Sequence, residues 1–100
     1  MKATIQEENN EYVVYFEGRL DTASAPQVQK DVQDLIDSTD RDIVLDCNQL
    51  AYISSSGLRI FLSILKSAKA NGHHVYIKGL SNDLRQVFAM TGFINLFEFK

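Results

Sequence analysis

The chain has one cysteine, one proline, no tryptophan and only five glycines among its 100 residues. A lone Cys47 allows no internal disulfide, so packing alone must hold the fold, and a reducing compartment suits it. Its place just after an apolar run marks it as a small core side chain. With so little Gly and Pro there is no linker and no low-complexity segment, and no internal repeat divides the chain. Basic residues are scarce too, ten Lys and Arg against thirteen Asp and Glu, for a formal charge of −3. No basic cluster could follow a phosphate backbone, which argues against nucleic acid as a partner. Long hydrophobic runs are also missing. The longest mostly apolar stretch is interrupted by Arg59, Ser63 and Lys66, so no membrane span is expected. Met1 to Ile5 runs straight into Gln6-Glu7-Glu8 without the apolar core of a signal peptide, and a cytoplasmic protein is expected.

What is present is an ordinary globular composition, 45% apolar and 23% charged, enough for one core and one domain over residues 1–100. Ala3 to Glu7 and Tyr12 to Phe16 read as two strands of an antiparallel hairpin, turned at Glu8-Asn9-Asn10-Glu11. Gly18 to Asp21 closes the second strand, and Thr22 or Ser24 is placed to cap a helix whose first turn tolerates Pro26. Val28, Val32, Leu35 and Ile36 supply its apolar stripe. Ile43-Val44-Leu45 reads as a buried strand that ends at a polar loop, Asp46-Cys47-Asn48, with a brief strand or turn at Tyr52-Ile53. A second helix then starts near Ser55, with Leu58, Phe61, Leu62 and Leu65 at helical spacing, and stops at Asn71-Gly72. His74 to Lys78 predicts a strand. Ser81 predicts the cap of a third helix that Gly92 ends, and Phe97 to Phe99 a last edge strand. Strands alternating with helices after a hairpin predict an α/β sheet with right-handed crossovers.

Several chemistries can be set aside. A nucleophile elbow needs glycine two residues before and two after its serine, and Ser55 has Ile53 and Gly57 there. The two histidines, His73 and His74, are adjacent at a strand entrance and point to opposite faces, which suits neither a triad nor a zinc site. A phosphate-cradling loop would need a second glycine and a lysine around Ser54-Ser55-Ser56-Gly57-Leu58-Arg59. What remains is a run of hydroxyls at a helix start. Capping explains one of them, and three are more than a cap requires. On the helical wheel Ile60 falls away from the apolar stripe, among Ser56, Ser63 and Ser67. That predicts an exposed strip of small hydroxyls around one apolar side chain, bordered by Arg59 and Lys66, suited to close approach by a partner.

Gly18-Arg19-Leu20-Asp21-Thr22-Ala23, Leu45-Asp46-Cys47-Asn48, Tyr52 to Leu58, and Met90-Thr91-Gly92-Phe93 with Phe97 together resemble the signature stretches of STAS domains, in particular stand-alone anti-sigma factor antagonists. The resemblance covers essentially the whole chain. It implies a small mixed sheet of four to five strands with helices mainly on one face, no enzymatic activity and no cofactor. It also implies a partner-switching role: the unmodified antagonist binds an anti-sigma factor that is also a serine kinase, phosphorylation by that kinase releases it, and a PP2C-type phosphatase resets it. The family motif commonly reads Asp-Ser-Ser-Gly-Leu or Asp-Ser-Thr-Gly-Leu, with phosphate on the residue after the aspartate. Here Ser54 replaces the aspartate, which makes Ser55 the implied acceptor with Ser54 as the alternative. Asp21, Asp46, Asn48, Ser54, Ser56, Gly57, Arg59, Ile60 and Ser63 become the implied partner-binding set. A second reading keeps the fold as a constitutive STAS subunit of a transporter or stress-signalling complex, the serines serving only as a cap. Monomer and weak dimer both stay open.

Overall fold

The computed structural model describes residues 1–100 as one five-stranded sheet with three α-helices. Strands β1 (Lys2–Glu8) and β2 (Glu11–Leu20) form the antiparallel hairpin. Its two turn residues, Asn9 and Asn10, have φ of 52° and 63°. That is the geometry of a two-residue hairpin turn matched to strand twist, and asparagine tolerates it better than other side chains. Helix α1 (Ala25–Asp37) leads to β3 (Ile43–Ile53), α2 (Ser55–Ala70) to β4 (Val75–Lys78), and α3 (Asn82–Met90) through a 3-10 turn (Phe93–Asn95) to β5 (Glu98–Phe99). Strands β2 to β5 are mutually parallel, and spatial order equals chain order. Successive right-handed crossovers stepping in one direction put all three helices on the same face.

Side-chain alternation follows from that one-sided cover. Val14 and Phe16, then Ile43, Leu45 and Cys47, then Val75 and Ile77 point into the helix side and join the core. Phe61 of α2 is at the centre of that core, with ring centroids 5.0 Å from Phe16, 6.0 Å from Phe88 and 6.4 Å from Phe97. Their neighbours Val13, Tyr15, Val44, Asp46 and Tyr76 alternate to the opposite, helix-free face. No helix is long and apolar enough to cross a membrane.

Two expectations are corrected. The strand beginning at Ile43 does not end in a loop at Asp46-Cys47-Asn48 but continues to Ile53. The reason is a bulge: Asp46 pairs with Tyr15 and Gln49 with Glu17, so β3 spends three residues where β2 spends two. A bulge breaks the alternation from which a strand is read. The bulge is held locally, with Asn48 donating to Asp46 Oδ1 from both its backbone N and its Nδ2, each at 3.0 Å.

Second, Ile60 is buried, at 3% exposure, and is not the centre of an exposed strip. Helix α2 is covered by the sheet below and by α1 at its side, so its buried arc is wider than a single apolar stripe. Ser67, placed by the wheel in the same strip, faces α1: its hydroxyl donates to the Ile36 carbonyl and lies 3.1 Å from Thr39 Oγ1.

Candidate functional site: the head of helix α2

Helix α2 leaves the C-terminal end of β3 through a single residue, Ser54, whose backbone is extended and whose hydroxyl accepts from the Gly57 N–H at 3.2 Å. Ser54 is therefore the N-cap, satisfying one of the donors that a helix start leaves without partners. Ser55 is the first helical residue, exposed, and its hydroxyl has no partner within the fold. Ser56 is half-buried. Around Ser55 Oγ the remaining free N–H groups and the positive end of the helix dipole favour negative charge.

The helix head is pinned to the sheet by close contact. The Ser54 N–H donates to the Leu20 carbonyl at 2.8 Å. A Cβ on Gly57 would lie 2.7 Å from Leu20 Cγ and 2.8 Å from Ile53 Cγ1, closer than any side chain tolerates. Gly57 is thus required by the approach of helix to strand end.

Asp21 follows Leu20 directly and shares this end of the sheet. Its Oδ1 accepts from the Ser24 N–H at 2.9 Å, and its own N–H donates to Ser24 Oγ at 3.0 Å. The Ser24 backbone and hydroxyl bonds hold the Asp21 carboxyl below the ordinary carboxylate range. Ser24 flanks α1 but caps nothing with its side chain, since its hydroxyl donates to the Arg19 carbonyl. Arg19 and Tyr52, neither of which the sequence reading placed in the site, stack at the same end on the helix-free face, the guanidinium carbon 4.3 Å from the ring centroid. Each is the strand neighbour of a core residue, Leu20 or Ile53, which was the available signal. Tyr52 remains 39% exposed.

Arg59 is exposed on the next turn of α2, and Ser63 is half-buried with its hydroxyl donating to the Arg59 carbonyl at 3.0 Å. Asp46 and Asn48 do not join this group. The β2 partners of Asp46 and Ile53 are Tyr15 and Leu20, which at ~3.3 Å per residue puts Asp46 roughly 16 Å up-strand from the helix head. Asp46 also lies on the helix-free face, and Asn48 packs instead against Gly79, where an added Cβ would meet its Oδ1 at 2.2 Å. The structure thus gathers Asp21, Ser54, Ser55, Ser56, Gly57, Arg59 and Ser63, leaves Asp46 and Asn48 apart, and takes Ile60 into the core.

The largest surface hollow, about 540 Å³, lies between the hairpin and the end of α1, lined by Ile5, Tyr12, Asp34, Leu35, Asp37 and Ser38. None of the hollows reaches the head of α2. Small-molecule sites are concave, so the exposed hydroxyls here suit contact with another protein better than enclosure of a small ligand.

The STAS domain profile matches residues 2–100. The chain belongs to the STAS domain family. Among its relatives, this STAS domain is 30% identical to BtrV of Bordetella bronchiseptica, provisionally named an anti-sigma factor antagonist, over 97% of this chain and 84% of that one. It is 29% identical to the anti-sigma-B factor antagonist of Staphylococcus aureus, over 85% of this chain and 79% of that one. The same fold recurs in an anti-sigma factor antagonist domain protein from Planctomyces limnophilus, with TM-score 0.88, 14% identity, and 98% of this chain and 87% of that one covered. It recurs again in the unphosphorylated form of the anti-sigma factor antagonist SpoIIAA, with TM-score 0.75, 17% identity and coverage of 99% and 87%. The five-stranded mixed sheet with three helices is the STAS arrangement.

Proposed function

We propose that this STAS domain is an anti-sigma factor antagonist that works by partner switching at Ser55. Unmodified, it binds an anti-sigma factor that is also a serine kinase, and so frees a sigma factor for transcription. The kinase transfers the γ-phosphoryl group of ATP to the Ser55 hydroxyl, the hydroxyl proton leaves, and the complex separates. A PP2C-type phosphatase hydrolyses the phosphoester and restores the binding form. ATP chemistry belongs to the kinase; this chain contributes the acceptor and the docking surface.

The observation that carries the proposal is the division of labour between neighbouring serines. Ser54 Oγ is engaged in the cap, while Ser55 Oγ is exposed and unpartnered one residue later. The names of the relatives supply the partner class, and SpoIIAA, of the same fold, occurs in a phosphorylated form.

A phosphate on Ser55 would add about −1.5 to −2 charges at pH 7. The helix start accommodates that charge, so the domain stays folded. Against a docked partner the result reverses. Desolvating a dianion opposite groups arranged for a neutral hydroxyl costs several kcal/mol, and each ~1.4 kcal/mol is a tenfold loss of affinity.

The test is phosphosite mapping and pull-down with the partner kinase and ATP. Ser55→Ala is expected to remain bound in the presence of ATP, and Ser55→Asp to bind poorly. A Ser55→Ala protein released by ATP as readily as the wild type would overturn the assignment.

A further inference from the structure

Helix α2 contains three cationic residues and no acidic one, in a chain whose formal charge is −3. Counted at about 100° per residue from Ser55, the side chains of Arg59, Leu62, Lys66 and Lys69 all fall within roughly 40° of it. They form one stripe, running the length of the helix from the candidate acceptor. Arg59, Lys66 and Lys69 are exposed and Leu62 is half-buried. The ion pairs of the fold use Arg41, His73, His74 and Lys100, so the cations of the stripe are unneutralised. Helix α1 beside it is by contrast net acidic, with Asp31, Asp34 and Asp37 against Lys30.

We propose that this stripe is the docking track for an acidic surface on the anti-sigma factor kinase, and that phosphate on Ser55 acts partly by cancelling the charge of the track. The inference rests on the partner-switching reading and adds the chemistry of the partner. Charge is what the stripe offers, since Leu62 is its one apolar member and is half covered. Three cations in an acidic chain are too few to follow a nucleic-acid backbone, where affinity grows with the number of phosphates neutralised. A phosphoseryl group of about −1.5 to −2 at the head of the stripe takes it from three positive charges to roughly one. Arg59, four residues on, is its neighbour on the helix surface. An acidic partner would then lose attraction as well as fit.

Stopped-flow association with the kinase that modifies Ser55, followed across ionic strength, tests this. The triple variant Arg59→Gln, Lys66→Gln, Lys69→Gln is expected to associate about tenfold more slowly than wild type at low salt, the gap closing as salt rises. Lys66→Glu, a single exposed change at mid-stripe, is expected to slow association in the same direction and serves if the triple variant folds poorly. Equal rates and equal salt slopes, with Ser55 still modified and the complex still released, would overturn the track and leave the switch standing. A kinase that never binds the unmodified chain overturns both. If duplex DNA or phosphatidylglycerol vesicles bind wild type and not the triple variant while the kinase rate is unchanged, the stripe has another occupant and the proposal fails.

Discussion

Replacing Ser54 and Ser55 by alanine, one at a time, separates capping from the proposed phosphate acceptance, because the structure engages the Ser54 hydroxyl in the cap and leaves that of Ser55 unpartnered. Ser54 Oγ accepts the Gly57 N–H at 3.2 Å. Ser54→Ala leaves that donor to water, and loss of an N-cap costs about 1 kcal/mol, within a range of roughly 0.5–2. For a domain of this size such a loss lowers Tm by about 4–8 °C. Ser55→Ala removes an exposed hydroxyl with no partner at the first helical position, so its stability is expected to stay within about 0.5 kcal/mol of wild type. Phosphate acceptance should divide the other way: Ser54→Ala still takes phosphate at Ser55, and Ser55→Ala takes none. Thermal and urea denaturation give the first column of that comparison, and phosphopeptide mapping after incubation with kinase and ATP gives the second. Equal destabilisation by both changes, or phosphate lost from folded Ser54→Ala and kept in Ser55→Ala, would refute the assignment.

Three further outcomes follow from the geometry. Gly57→Ala should destabilise by about 1–2 kcal/mol: overpacking against Leu20 and Ile53 outweighs the gain in helix propensity, and a urea midpoint at or above wild type would contradict the contact. The Cys47 thiol is pushed up to about 12 by burial, with a smaller contribution from Asp46. It should therefore resist a thiol reagent at pH 8 until the protein is unfolded, and rapid labelling of native protein would be the opposing result. Because the native Asp21 carboxyl titrates below its ordinary value, its stabilising effect is present above the unfolded pKa of about 3.9 and disappears as pH falls through the native value. The stability gap between wild type and Asp21→Asn should accordingly narrow between pH 6 and pH 3, and a gap that widens toward acid would reverse the sign.

Much of this arrangement can be read from residue order because its signals are local. Asn9-Asn10 between two alternating runs specifies the hairpin, Gly72 and Gly92 mark helix ends with φ of 78° and 79°, and the serines announce the start of α2. The two errors come from contacts that no local pattern encodes. The bulge at Asp46 to Gln49 interrupts alternation in β3, so a continuous strand reads as strand and loop. Ile60 and Ser67 face α1, and a helical wheel assumes one buried side where α2 has two. The stack of Arg19 on Tyr52 and the contact of Gly57 with Leu20 join residues distant in the chain, and only the parallel register of β2 and β3 brings them together. At the site, the run of hydroxyls was legible as a helix start, while which of them caps follows only from the Gly57 N–H bond to Ser54 Oγ.

Because the sheet is laid down strand beside strand in the order of the chain, synthesis from the N-terminus delivers each new strand next to one already made. The aromatic centre keeps a different schedule. Two of the ring partners of Phe61, Phe88 and Phe97, lie well after it in the chain and emerge only after it. A nascent chain is therefore sticky on its helix side until Phe88 and Phe97 have emerged, and truncations before Phe88 should be far more sensitive to proteases than residues 1–100 together.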